Sequence, residues 1–260
     1  MHDKKIIRHE ENCWRYVQAD RASVLVDGED YFSALHAAIS QAQSAVYILA
    51  WDIDSRLRLV RGETPTDLPV ELGDLINAVL EQKPELNIYI LNWDWAMLYT
   101  LEREWLPLFR PGWKKQSRLH YQLDGECPFG GSQHQKVVVI DDKIAFCGGI
   151  DPGKHRWDSS EHAPDDKRRI DPDNELYPPF HDMQMIVDGE AAKSLAELVS
   201  SWLPHPQTRM IFGLKISRLI FDRSTLPLPE PCRNLRETGK LPKWNYSTLM
   251  LLRRPKPLYT

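Results

Sequence analysis

The stretch of this sequence best suited to chemistry is His134-x-Lys136, followed by Asp141 and then by Gly148-Gly149-Ile150-Asp151. If residues 133–140 (QHQKVVVI) form a strand, alternation puts His134 and Lys136 on the same face. An ammonium holds a non-bridging phosphate oxygen as a point charge, while an imidazole attacks phosphorus or relays a proton. The pair therefore suits a phosphodiester. A bare His-x-Lys on a strand is ordinarily an exposed polar pair, and the fixed spacing to the glycines is what sets this segment apart.

Residues 133–140, the turn-forming Asp141-Asp142-Lys143 and residues 144–147 read as a tight β-hairpin. With Asp142-Lys143 as a two-residue turn, Gly149 falls opposite Lys136 and Asp151 opposite His134. Gly149 would then leave room for a bulky phosphodiester at the backbone. Asp141 stands roughly 17 Å from Lys136 along a strand rising ~3.3 Å per residue. It is assigned, with Gly148, to the structure of the motif rather than to substrate.

The elements that must position this hairpin alternate between strand and helix. Strands are expected at 22–27, 45–51, 86–92, 118–123 and 183–187, several of them continuous apolar runs covered on both faces. Helical periodicity appears over 31–43, 72–80, 97–108 and 190–202. The expected fold class is α/β, with a mainly parallel or mixed central sheet flanked by helices on both faces. Residues 150–180 are rich in Pro, Asp and His without a period, and loops of that length tend to be lids or disordered. Regular patterning stops near residue 204, so a domain at 12–203 and an irregular, Pro-rich basic tail at 204–260 are expected.

Composition narrows the function classes. Of 260 residues, 42% are hydrophobic and 27% charged, an ordinary globular balance. The net charge is −4, but residues 213–260 hold ten Lys/Arg against three Asp/Glu. That tail carries +7, so the preceding residues carry −11, which argues against nucleic acid as a partner. Cys13, Cys127, Cys147 and Cys232 form no C-x-x-C pair, so neither a disulfide framework nor a zinc site is expected. His155, Asp158, His162 and His181 fit no recognised metal-ligand spacing, and neither metal nor other cofactor is expected. No signal peptide or apolar span of ~18 residues is visible, giving a soluble cytoplasmic expectation. Trp51-Asp52 and Trp93-Asp94 follow buried strands, where α/β sheets bind ligands, and could line a cleft or simply pack as an aromatic rim.

The segment HQKVVVIDDKIAFCGGID (134–151) resembles the HKD motif of the phospholipase D superfamily. RWDSSEH (156–162), PFHDMQMIVDGEAA (179–192) and VLVDGEDYFSALHAAISQAQSAVYILAWDIDS (24–55) resemble its bacterial phospholipase D-like branch, so the likeness covers roughly residues 12–203. It implies a hydrolase or phosphatidyltransferase of lipid metabolism that needs no metal and works by two displacements through a phosphohistidine. His134 matches the nucleophile and Lys136 the phosphate-binding lysine. Asp182 matches the acidic residue that orients the nucleophilic histidine. Asp151 stands where many members have Asn, a departure that matters because an unpaired carboxylate repels phosphate.

The motif occurs once, whereas the resemblance implies two half-sites facing each other. A homodimer partner or a missing C-terminal half is expected to supply the second, truncation being the favoured explanation. Peripheral membrane contact through the basic tail is a further expectation. It predicts that deleting residues 243–257 lowers sedimentation with liposomes; unchanged sedimentation removes the idea.

Overall fold

The computed structural model describes residues 6–7, 12–62, 67–94, 116–124, 132–202 and 248–251. The helix expected at 97–108, Cys127, Cys232 and most of 204–260 lie outside them. Ala19–Leu203 form one compact unit, and Met1–Gln18 with Pro204–Thr260 form another. In the latter, β1 (Arg15–Gln18) pairs antiparallel with β9 (Thr248–Leu251). Neither strand was expected, and β9 falls where no regular element was read. Short strands that pair across most of a chain are dictated by tertiary context rather than local period.

In the larger unit the order is β2 (Ala22–Val26), α1 (Asp27–Gln41), β3 (Ala45–Ala50), α2 (Leu72–Gln82), β4 (Asn87–Trp93), β5 (Leu119–Asp124), β6 (Val137–Ile140), β7 (Ile144–Gly148), β8 (Met183–Asp188) and α3 (Gly189–Ser200). The strands form one sheet in the order β2-β8-β7-β6-β3-β4-β5. The fold is α/β with a mixed sheet. Parallel pairing is confined to β3–β4 and β4–β5, and every other pair is antiparallel.

Alternation along the strands builds two faces. Val46, Ile48, Ile88, Ile90, Val138 and Phe146 join Leu35 and Ile39 of α1 and Leu75, Ile76 and Val79 of α2 in one buried cluster. Leu49, Val139, Ala145 and Val187 alternate with these and are also buried, and α3 contacts their strands. Each such large side chain removed from water contributes roughly 1.5–3 kcal/mol. No helix among the described residues is long and apolar enough to cross a membrane.

Three sequence expectations change here. Strand β6 begins only at Val137, so His134 and Lys136 precede the ladder. The hairpin turn spans three residues, because Ile140 pairs with Ile144. Asp141 (φ 52°) and Asp142 (φ 55°) both take the left-handed region, and Lys143 N–H donates to Ile140 C=O at 2.9 Å. The register therefore slips by one from that expected, and Gly148 rather than Gly149 lies against Lys136, its N–H donating to Lys136 C=O at 3.3 Å. Finally, residues 150–180 are packed rather than open. Arg169, 1% exposed, donates to Asp158 (2.9 Å) and to the carbonyls of Tyr177 (3.2 Å) and Pro164 (3.0 Å). The Tyr177 hydroxyl donates to Trp157 C=O at 2.9 Å. At the other end Lys154 and Arg56 both bond Asp173, holding its carboxyl down at about 2. A segment that buries charges among a few widely spaced apolar side chains such as Trp157 and Tyr177 shows no hydrophobic period, which is why the sequence suggested a loop.

Asp141 anchors the hairpin to the start of β3. Its carboxylate accepts the N–H groups of Gln43 (2.9 Å), Ser44 (2.7 Å) and Ala45 (2.9 Å) and the Ser44 hydroxyl (2.8 Å). Burial acts to raise its pKa, but these bonds prevail and hold it below the usual carboxylate range. A depressed folded pKa adds stability above the unfolded value, lost as pH falls through the folded one. Asp141→Ala is expected to cost about 2 kcal/mol at neutral pH, measured by urea unfolding. The gap to the parent should close in acid; a gap independent of pH would contradict this anchor.

Candidate active site

His134 and Lys136 occupy the extended run that leads into β6, and they differ in depth. His134 is exposed, whereas Lys136 is 6% exposed. The Lys136 ammonium meets Asp151 Oδ2 at 2.9 Å and donates to His134 C=O at 3.3 Å. Asp151 in turn is 2% exposed, and its Oδ1 accepts Trp51 N–H at 2.9 Å and Asp52 N–H at 3.3 Å. The carboxylate that stood in doubt beside a phosphate is therefore neutralised by Lys136 and satisfied by backbone. A buried ammonium needs such a partner, because an isolated buried charge is prohibitively costly.

Trp51, just past the carboxyl end of β3, lies 5.9 Å centroid to centroid from the His134 ring and stacks at 5.8 Å on Trp93 of β4. These two aromatics, left open between cleft and rim by the sequence, thus stand beside His134 at the carboxyl end of the parallel part of the sheet.

Asp182 immediately precedes β8. A Cβ at Gly149 would collide with both of its carboxylate oxygens, so the glycine permits a close approach by Asp182. That corrects the idea that Gly149 leaves space for substrate: Asp182 takes the space. Asp182 Oδ1 accepts its neighbour Met183 N–H at 2.7 Å. Among the described residues no hydrogen bond joins Asp182 to the His134 ring.

Sequence reasoning missed Asp27. This carboxylate, wholly buried at the start of α1 with φ 66°, sits behind Asp182. Asp27 N–H donates to Asp182 C=O at 2.9 Å, and Asp182 N–H returns to Asp27 Oδ1 at 3.3 Å. The residue after it must be glycine, because a Cβ at Gly28 would strike the backbone of Arg156 and Trp157. Around Asp27 gather His181 (Nδ1 to Oδ1 2.7 Å) and His162 (Nε2 to Oδ2 3.2 Å). His162 also bonds Asp158 at 3.0 Å, and chiefly for that reason its pKa is raised. His155 lies apart, against Asp171 at 3.1 Å. No local spacing could reveal a contact made across 154 residues.

The chain is similar in sequence to curated phospholipase D proteins. The chain is 27% identical over 204 residues to phospholipase D C of Dictyostelium discoideum, an alignment covering 68% of this chain. Phospholipase D A of the same organism is 31% identical over 158 residues, 58% of the chain. Both relatives are phospholipase D proteins, and these matches support a likeness to the phospholipase D superfamily. The chain spans only 12% of the length of each of these two relatives. No protein-family model matches it. Among solved structures, NucT from Helicobacter pylori aligns with a TM-score of 0.42 at 15% identity, covering 72% of this chain and 94% of that one.

The Lys136–Asp151 pair makes a stability prediction. Asp151→Ala strands a buried ammonium and should cost roughly 3–5 kcal/mol, whereas replacing both partners by apolar residues should recover much of that. Denaturant unfolding of the single and double variants checks it; additive losses would argue against a buried pair.

Proposed function

We propose that this chain provides one half-site of a phospholipase D-type phosphodiesterase, which hydrolyses or transfers the phosphatidyl group of a phospholipid through a phosphohistidine. The observation that carries the reading is an exposed His134 imidazole beside Trp51, on a backbone held by the buried Lys136–Asp151 pair. A nucleophile must be reachable, whereas its positioning groups are better locked by packing.

In the first step a ring nitrogen of His134 forms a bond to phosphorus as the P–O bond to the leaving alcohol breaks. The leaving oxygen takes a proton from an imidazolium of the second half-site. In the second step water, or an acceptor alcohol, gives its proton to that imidazole. Its oxygen displaces His134 from phosphorus and regenerates the free imidazole. Lys136 holds a non-bridging oxygen with the donor capacity left after Asp151 and the His134 carbonyl. Asp182 sets the shape of the site beside Gly149, and its role in orienting His134 requires the two side chains to come together when substrate binds. Hydrogen bonds at catalytic groups commonly tighten only in the complex.

The general acid comes from a second half-site, contributed by another copy of the chain or by further polypeptide. Its absence would cost about 10²–10⁴-fold in rate. A nuclease of the same superfamily is one rival, and the −11 charge of residues 1–212 disfavours a polyanionic substrate. A catalytically incomplete fragment or interaction module lacking the second half-site is the other, and a monomer without turnover would favour it. Domain limits of 12–203 and 204–260, with the second acting as a basic tail, belong to the same proposal.

Solution mass by light scattering, with turnover of a generic phosphodiester and of phosphatidylcholine vesicles on the same sample, tests it. A dimer whose turnover is abolished by His134→Ala fits a composite site. Turnover that survives His134→Ala, or that favours single-stranded DNA over lipid, overturns the reading.

A further inference from the structure

Asp27, His162 and His181 come together from the start of α1, the packed 150–180 segment and the lead-in to β8. We propose that they form a site for one divalent transition-metal ion of the zinc class. One donor atom from each residue lies within 4.8 Å of the others. The site has a structural role, independent of which phosphodiester the half-site takes.

The unsatisfied lone pair is the decisive observation. Asp27 is wholly buried, yet its Oδ2 accepts no hydrogen bond. Buried polar atoms are almost always satisfied, so each exception calls for a partner. His162 Nε2 stands 3.2 Å from Asp27 Oδ2 without hydrogen-bond geometry. Two ligands of a tetrahedral ion with bonds of ~2.0 Å stand about 3.3 Å apart. A cation shared by Oδ2 and Nε2 satisfies both.

The surroundings follow the logic of a ligating histidine. His162 Nδ1 faces Asp158 Oδ2 at 3.0 Å. Asp158 is fixed by Arg169 (2.9 Å) and by the N–H groups of Ser159 (2.9 Å) and Phe180 (3.0 Å). A carboxylate accepting Nδ1–H holds the tautomer that leaves Nε2 free to ligate, the arrangement common behind metal-bound imidazoles. His181, whose side chain is 60% exposed, closes the third side at 2.7 Å from Asp27 Oδ1. That exposed ring can move outward by the few tenths of an ångström that ligation needs. Its exposure also gives an ion a way in and leaves a position for water. Two imidazoles and one carboxylate favour zinc-like ions over magnesium or calcium, which prefer oxygen donors.

Asp27 also brackets Asp182, its N–H donating to Asp182 C=O and its Oδ1 accepting Asp182 N–H, and Asp182 packs on Gly149 of the HKD segment. An ion here would therefore stiffen the support of the candidate active site without touching substrate.

The test uses the full chain, stripped with a chelator and titrated with Zn²⁺ by calorimetry. About one equivalent should bind, and the thermal midpoint should rise on loading. Replacing both ligands (His162→Ala with His181→Ala) should weaken binding roughly 100-fold or more. His155→Ala, at the separate Asp171 pair, should bind as the parent does. X-ray absorption of the zinc-loaded parent gives a readout that needs no variant, with two imidazoles and oxygen expected around the ion. No saturable binding, parent-like binding by the double variant, or a sulfur-containing ligand set would each overturn the proposal.

Discussion

A buried ammonium has to be answered by a buried carboxylate, and much of this unit is arranged around that requirement. Lys136 and Asp151 meet at 2.9 Å with little exposure. Asp151 also takes the backbone N–H groups that follow β3. One ion pair thus ties together the run into β6, the segment after β7 and the carboxyl end of β3. Those are the three pieces that frame His134. Removing either charge leaves the other stranded in a medium of low dielectric, so the arrangement tolerates little variation.

A second set of buried charges does the same for the other side of the site. Arg169 and Asp158 add a buried ion pair to the apolar side chains, Ile150, Trp157 and Tyr177, that residues 150–180 bury, and Asp158 also holds His162, whose Nε2 faces Asp27 Oδ2 at 3.2 Å. Asp27 then grips both backbone groups of Asp182. The two networks approach each other at Gly149, where only a missing side chain lets the Asp182 carboxylate pack on the backbone. The glycine pair of the motif is a packing device at this point.

Hydrophobic periodicity made the scaffold legible. Ala45–Ala50 is a continuous apolar strand, Asn87–Trp93 carries the apolar run Ile88–Leu91, and Leu72–Gln82 shows a helical stripe, because each buries its face locally and directly. Boundaries and register were less legible. Left-handed Asp141 and Asp142 made a three-residue turn, and that one-residue slip changed which glycine faces Lys136. Strands β1 and β9 carry no period to read, since their pairing is made across the chain.

The sequence alone determined the α/β class and the order of most elements, and it singled out His134 and Lys136 as the candidate pair. These rest on local spacing, which a one-dimensional pattern records. Only the tertiary structure decided that His134 is exposed while Lys136 is buried, that Asp151 is a partner rather than an intruder, and that Asp27 lies against Asp182 and two histidines. Those outcomes depend on which distant carboxylates reach which cations, and burial makes that choice only once the sheet and its loops have closed.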